Sequence, residues 1–88
     1  MTTYRSLCGH YYFGFRFVRA ADHIDIYCLR RPPLNGQDSD PNKTHLFSSG
    51  KVCFVAGREP RTKARAEELA RDFAEYYLRY RRTGRAES

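Results

Sequence analysis

Tyr12 and Arg16 stand four residues apart in one stretch of the chain, Tyr27 and Arg31 four apart in the next, and Lys51 lies in a third. In an extended chain side chains alternate with period two, so a spacing of four returns each pair to one face. Aromatic rings interleaved with cations can stack bases while neutralising phosphates. The same mixture also anchors protein interfaces rich in Tyr and Arg. The plainer alternative is a solvated sheet face on which Tyr and Arg only cover the backbone. Arg79 and Arg82, late in a helical stretch, complete the candidate binding surface.

The thiols and imidazoles are the other reactive groups. Cys8, His10, His23, Cys28, His45 and Cys53 would supply enough ligands for one zinc site. Their spacing argues against it: Gly9 alone separates Cys8 from His10, and no Cys-x-x-Cys occurs. His23 and Cys28 also fall on opposite faces of an alternating segment. No metal and no cofactor is expected. The carboxylates offer no catalytic pair, since Asp38 and Asp40 sit in a polar stretch and Glu67, Glu68, Asp72 and Glu75 lie among arginines on a solvated helix face. A phosphate-binding glycine loop and a serine in a strand–turn–helix setting are both lacking. The expectation leans away from an enzyme and assigns no catalytic residue.

The elements that must position these groups follow from periodicity. Tyr11, Phe13, Phe15 and Phe17 alternate with Tyr12, Gly14, Arg16 and Val18, which predicts a strand over about 11–19 with four aromatics on the core face. Gly14 is expected to make room for a neighbour or to relax the strand locally. Ile24, Ile26 and Cys28 alternate with Asp25, Tyr27, Leu29 and Arg31, giving a second strand over about 23–31 and a hairpin. Pro32 and Pro33 end it. Asn35-Gly36, Asp38-Ser39-Asp40 and Pro41 mark residues 32–43 as an exposed loop. A second hairpin is predicted over 44–48 and 51–56 around Ser49-Gly50, with Phe47 opposite Val52 and His45 opposite Phe54. Its core face would hold Phe47, Val52 and Phe54.

From about 60 to 83 the period becomes 3.6. Ala66, Leu69, Ala70, Phe73, Ala74, Tyr76, Tyr77 and Tyr80 share one sector of a helical wheel, and Glu68, Arg71, Glu75, Arg79 and Arg82 lie opposite. Pro60 suits a first helical position. Glu67–Arg71 and Glu75–Arg79 are favourable (i, i+4) pairs, arginines in the last turns complement the helix dipole, and Gly84 is a stop. Strands followed by a helix give an α+β fold: a three- to four-stranded antiparallel β-sheet of hairpins, with one long C-terminal helix packed on one face.

With 88 residues the chain is expected to form one small domain. Seven Tyr and six Phe supply most of its buryable area, and there is no Trp. Three cysteines, an odd number, fit reduced thiols. The absence of a leader-like or membrane-length apolar run suggests a cytoplasmic location and no membrane partner. The net charge of +6 divides evenly between residues 1–57 and 58–88, so no basic tail dominates. A positive field over the whole domain favours nucleic acid or an acidic protein partner. Exposed edge strands leave a homodimer by edge pairing open.

The order of strands before a basic helix that opens Thr62-Lys63-Ala64-Arg65-Ala66-Glu67 resembles, in outline and over about residues 11–80, the arm-type DNA-binding domains of phage and transposon integrases. That resemblance implies a sheet lying in the major groove. A shorter stretch, His45 to Phe54, is similar to the active-site approach of ubiquitin-conjugating enzymes, where a hairpin ending in Gly-x-x-Cys presents the nucleophile. It implies Cys53 as a thioester cysteine, although His45 stands where that family's His-Pro-Asn motif has its asparagine. A strand cysteine acting as a small apolar residue is the simpler reading of Cys53. The function expected first is therefore a small basic binding protein holding nucleic acid on its aromatic and basic sheet face. The second is a protein-interaction module, such as a phage or mobile-element accessory factor docking on a larger host complex.

Overall fold

Alternating phenylalanines and isoleucines build the centre of the sheet. In a computed structural model that describes residues 1–54 and 57–86, strand β1 covers Thr2–Arg5, β2 covers Tyr12–Arg19 and β3 covers Ile24–Arg30. They pair antiparallel in the order β1-β2-β3. A single turn of helix, α1, spans Pro41–Thr44, and the long helix α2 spans Lys63–Thr83.

Helix α2 lies on one face of this sheet and closes the core. Phe13, Phe15, Ile24, Ile26 and Cys28 from the strands meet Ala66, Ala70, Phe73, Ala74 and Tyr77 from the helix, with Leu46 and Val52 filling the side. The alanines at every fourth position bring the helix axis close, so the rings of the two layers interlock edge to face. Phe15 meets Phe73 with centroids 6.2 Å apart and Phe13 meets Tyr77 at 5.8 Å. Each fully buried Phe contributes about 1.5–3 kcal/mol through removal from water. The helical stripe is as predicted except for Leu69, which is only partly buried.

Both ends of α2 are capped by its own sequence. Thr62 is the N-cap, its hydroxyl accepting from Arg65 N at 3.2 Å. Gly84 takes the left-handed conformation at φ 71° and donates to Tyr80 O at 2.7 Å. The expected start near Pro60 is thus three residues early. Pro60 is buried outside the helix, and its carbonyl accepts from Ile24 N at 2.8 Å.

Two differences from the sequence pattern remain. Residues 1–9, to which the pattern assigns no element, contain β1: Thr2, Thr3 and Tyr4 are good strand formers, and they sit opposite Phe15, Gly14 and Phe13 of β2. The predicted hairpin over 44–48 and 51–56 is replaced by α1 and two isolated bridges, Leu46–Val52 and Tyr27–Lys51. Residues 55 and 56 of that hairpin lie outside the described residues. The cause is the Asp40-Pro41 pair, in which Asp40 caps Asn42 N at 3.0 Å and Pro41 occupies the first turn. His45 then reverses the chain at φ 61°. Leu46, not Phe47, ends up opposite Val52, a slip of one residue that exchanges the two faces. Leu46 is 6% exposed and Phe47 is 46% exposed, the reverse of the expected order.

Candidate nucleic-acid interface

Because Phe13 and Phe15 point into the core, Tyr12, Gly14 and Arg16 must point away from it. The antiparallel register sets Arg5 beside Tyr12, Thr3 beside Gly14, Tyr27 beside Arg16 and Asp25 beside Val18. Lys51 is bridged to Tyr27. Its segment is held against β3 by Cys28 N to Gly50 O at 2.7 Å and Val52 N to Ile26 O at 2.8 Å. Tyr12, Arg16, Tyr27 and Lys51 therefore come together on the face remote from α2, as predicted from the period of two. Arg5 of β1, a strand that the apolar period does not mark, joins them with its guanidinium 5.9 Å from the Tyr12 ring centroid.

Arg31 does not join them. Phe15 pairs with Cys28 but Gly14 pairs with Arg30, so Leu29 is the extra residue of a β-bulge. The bulge inverts the alternation beyond it. Arg30 Cβ lies 3.3 Å from the position a Gly14 Cβ would take, which places Arg30 on the open face. Arg31 folds back and donates from Nη1 to Cys28 O at 3.1 Å. Arg79 and Arg82 belong to α2, on the far side of the sheet. With Leu7, Gln37 and Glu75 they line a groove of about 600 Å³, and Arg79 stands 6.0 Å from the Tyr76 ring centroid.

The 32–44 segment could have covered the open face, and three tyrosines of α2 draw it the other way. Tyr77 Oη donates to Pro32 O and Tyr80 Oη to Asp38 O, each at 2.7 Å, and Tyr76 Oη donates to Lys43 O. Arg81 Nε adds a bond to Pro33 O at 2.6 Å. The segment is thereby laid along the helix, and Tyr12 keeps 58% of its surface exposed. Where the segment leaves β3, Tyr11, Tyr12, Leu29, Arg30, Pro32 and Pro33, with Tyr77 of α2, line an open cleft of about 740 Å³.

The residues that the register places on the open face include one acid, Asp25. Its Oδ1 lies 2.9 Å from His23 Nε2 and 3.4 Å from Lys51 Nζ, while His23 Nδ1 lies 2.8 Å from Asp22 Oδ1. A carboxylate can only accept, so a carboxylate at each ring nitrogen favours the doubly protonated imidazolium. The Asp22 hydrogen bond, reinforced by Asp25, holds the His23 pKa above its ordinary value. Met1 lies over Gly14 on this face, and a Cβ there would displace its flexible side chain.

The thiols are scattered. Cys28 is buried, and burial pushes its pKa up to about 11. Cys53 is half-buried and also raised by burial, whereas exposed Cys8 is lowered by the hydroxyl of Ser6. The His45 ring stacks on Tyr76 with centroids 4.3 Å apart, and its carbonyl accepts from Cys53 N. Among the described residues, no group of three or more His, Cys, Asp and Glu side chains is placed to hold a metal, and no helix is long and apolar enough to cross a membrane.

Compared with protein-family models, curated proteins and solved structures, the chain finds no match.

Proposed function

We propose that this protein binds nucleic acid through the open face of its sheet. The observation that supports this reading is the convergence of Arg5, Tyr12, Arg16, Tyr27, Arg30 and Lys51 on a face that the 32–44 segment leaves uncovered. The cations neutralise phosphates and release counterions, and the two rings offer flat surfaces to bases. Asp25, the acid among them, is already engaged by His23 and Lys51.

The test is fluorescence anisotropy with labelled duplex and single-stranded DNA and RNA at about 50 mM and about 200 mM salt. Binding is expected to weaken steeply with salt, and Arg16→Ala should reduce the log–log salt slope by about one. Absence of binding to every oligonucleotide at the lower salt sinks the proposal. A protein-docking role is the second reading, favoured by apolar Met1, Val18 and Leu29, which are exposed beside the cations. A partner that survives nuclease treatment and is lost with Arg16→Glu and Tyr27→Ala would support it instead.

A further inference from the structure

We propose that the cleft at the Pro32–Pro33 end of the face takes an unpaired nucleobase, so that the ligand is single-stranded nucleic acid; this rests on the sheet-face reading above. The bulge at Leu29 creates the site. By adding one residue to β3 it directs Arg30 onto the open face and frees Leu29 to stand half exposed at the cleft wall. Arg31, bonded to the Cys28 carbonyl, fixes the other side of the bulge, and the two prolines that follow add conformationally restricted apolar rings to the lining.

The chemistry of the lining selects the ligand. Tyr12, Leu29, Pro32 and Pro33 supply flat or apolar surface, the mixture on which a base can lay its π-face. Arg30 and Arg31 bring positive charge to the lining, and none of the described lining residues is an acid. The cleft is open to solvent, so a base can enter it from the sheet face. Tyr12 and Arg30 belong to both the cleft and the face, so a strand tracking along the cations reaches the cleft without a break. A base inside a duplex would have to leave its stack to enter, whereas a base on a single strand enters without unpairing.

Anisotropy titrations with a single strand, the blunt duplex of the same sequence and that duplex carrying a short overhang would test this. The single strand and the overhang are expected to bind about tenfold more tightly than the blunt duplex. Leu29→Ser and Arg30→Gln should each lower the single-strand affinity and bring the ratio towards one, with unchanged circular-dichroism melts showing that the fold is intact. Equal affinity for blunt duplex and single strand overturns the cleft assignment and leaves the sheet-face reading standing. So does a preference that survives both substitutions. If no oligonucleotide binds at all, the sheet-face reading itself has failed and the cleft assignment falls with it.

Discussion

Tyr77 of α2 donates its hydroxyl to the carbonyl of Pro32 at 2.7 Å, across 45 residues of sequence. With Tyr80 on Asp38 and Tyr76 on Lys43 it fastens the segment between β3 and α1 to the helix. Each of these rings is buried while its oxygen reaches a backbone acceptor, so Tyr→Phe removes a bond and almost no volume. Tyr77→Phe and Tyr80→Phe should each cost about 1 kcal/mol in a denaturant melt. Amide hydrogen exchange should accelerate between residues 32 and 44 and stay unchanged in β2.

The reversal at His45 predicts a pair of unequal effects. Leu46→Ala empties a core position and should cost about 2–5 kcal/mol. Phe47→Ala, although it removes the larger side chain, acts on an exposed site and should cost less than about 1 kcal/mol. Had Phe47 faced Val52, the order would be the opposite, so two thermal melts decide between the registers.

Two glycines with similar backbone angles should differ in tolerance. Gly50 at φ 90° and Gly36 at φ 91° both occupy the region that L side chains avoid. A Cβ at Gly50 would meet Cys28 O at 3.2 Å, and one at Gly36 would meet nothing within 4 Å. Gly36→Ala should therefore cost only the conformational penalty, about 1 kcal/mol. Gly50→Ala should cost more in the same melt, because it also strains the bond from Cys28 N.

His23 makes stability depend on pH in a stated direction. Its folded pKa is raised, so its contribution is fully present below the unfolded value near 6.5 and is lost as pH rises through the folded value. The melting temperature of the parent should exceed that of His23→Gln by more at about pH 5.5 than at about pH 8.5. A gap that is constant or widens with pH would refute the paired-carboxylate account.

The thiols should react in a fixed order with iodoacetamide at neutral pH. Cys8 is exposed and its pKa lowered, Cys53 is half-buried and raised, and Cys28 is buried with its pKa near 11. Mass spectrometry of timed aliquots should find Cys8 first and Cys28 last. Labelling of Cys53 ahead of Cys8 would revive the thioester reading of the Gly50–Cys53 stretch.

What the chain betrayed of its fold was whatever rests on unbroken period. The Phe13-Phe15 and Ile24-Ile26-Cys28 alternations and the α2 stripe were legible because burial repeats along them, and they alone place Tyr12, Arg16 and Tyr27 on one face. Each miss marks a break in period. The bulge at Leu29 exchanged Arg31 for Arg30, and the left-handed His45 exchanged Phe47 for Leu46. Both exchanges depend on backbone geometry at one residue, to which a pattern of apolar positions is blind. The Asp40-Pro41 and Thr62 caps were visible as residue types, and weighing them above the apolar pattern would have found α1 and the true start of α2. β1 has strand-forming residue types in Thr2, Thr3 and Tyr4, but four residues without an apolar alternation give no period to detect.

The hydroxyl bonds of α2 have an optical consequence. With no tryptophan among the 88 residues, near-ultraviolet absorbance and emission come from tyrosine, free of the energy transfer that usually hides it. Tyr4, donating to Glu75 at 2.5 Å with its pKa pushed up to about 12, and Tyr77, raised by burial, should ionise late in an alkaline titration. The protein thus carries an intrinsic chromophore at the joint between helix and connecting segment, readable without any label.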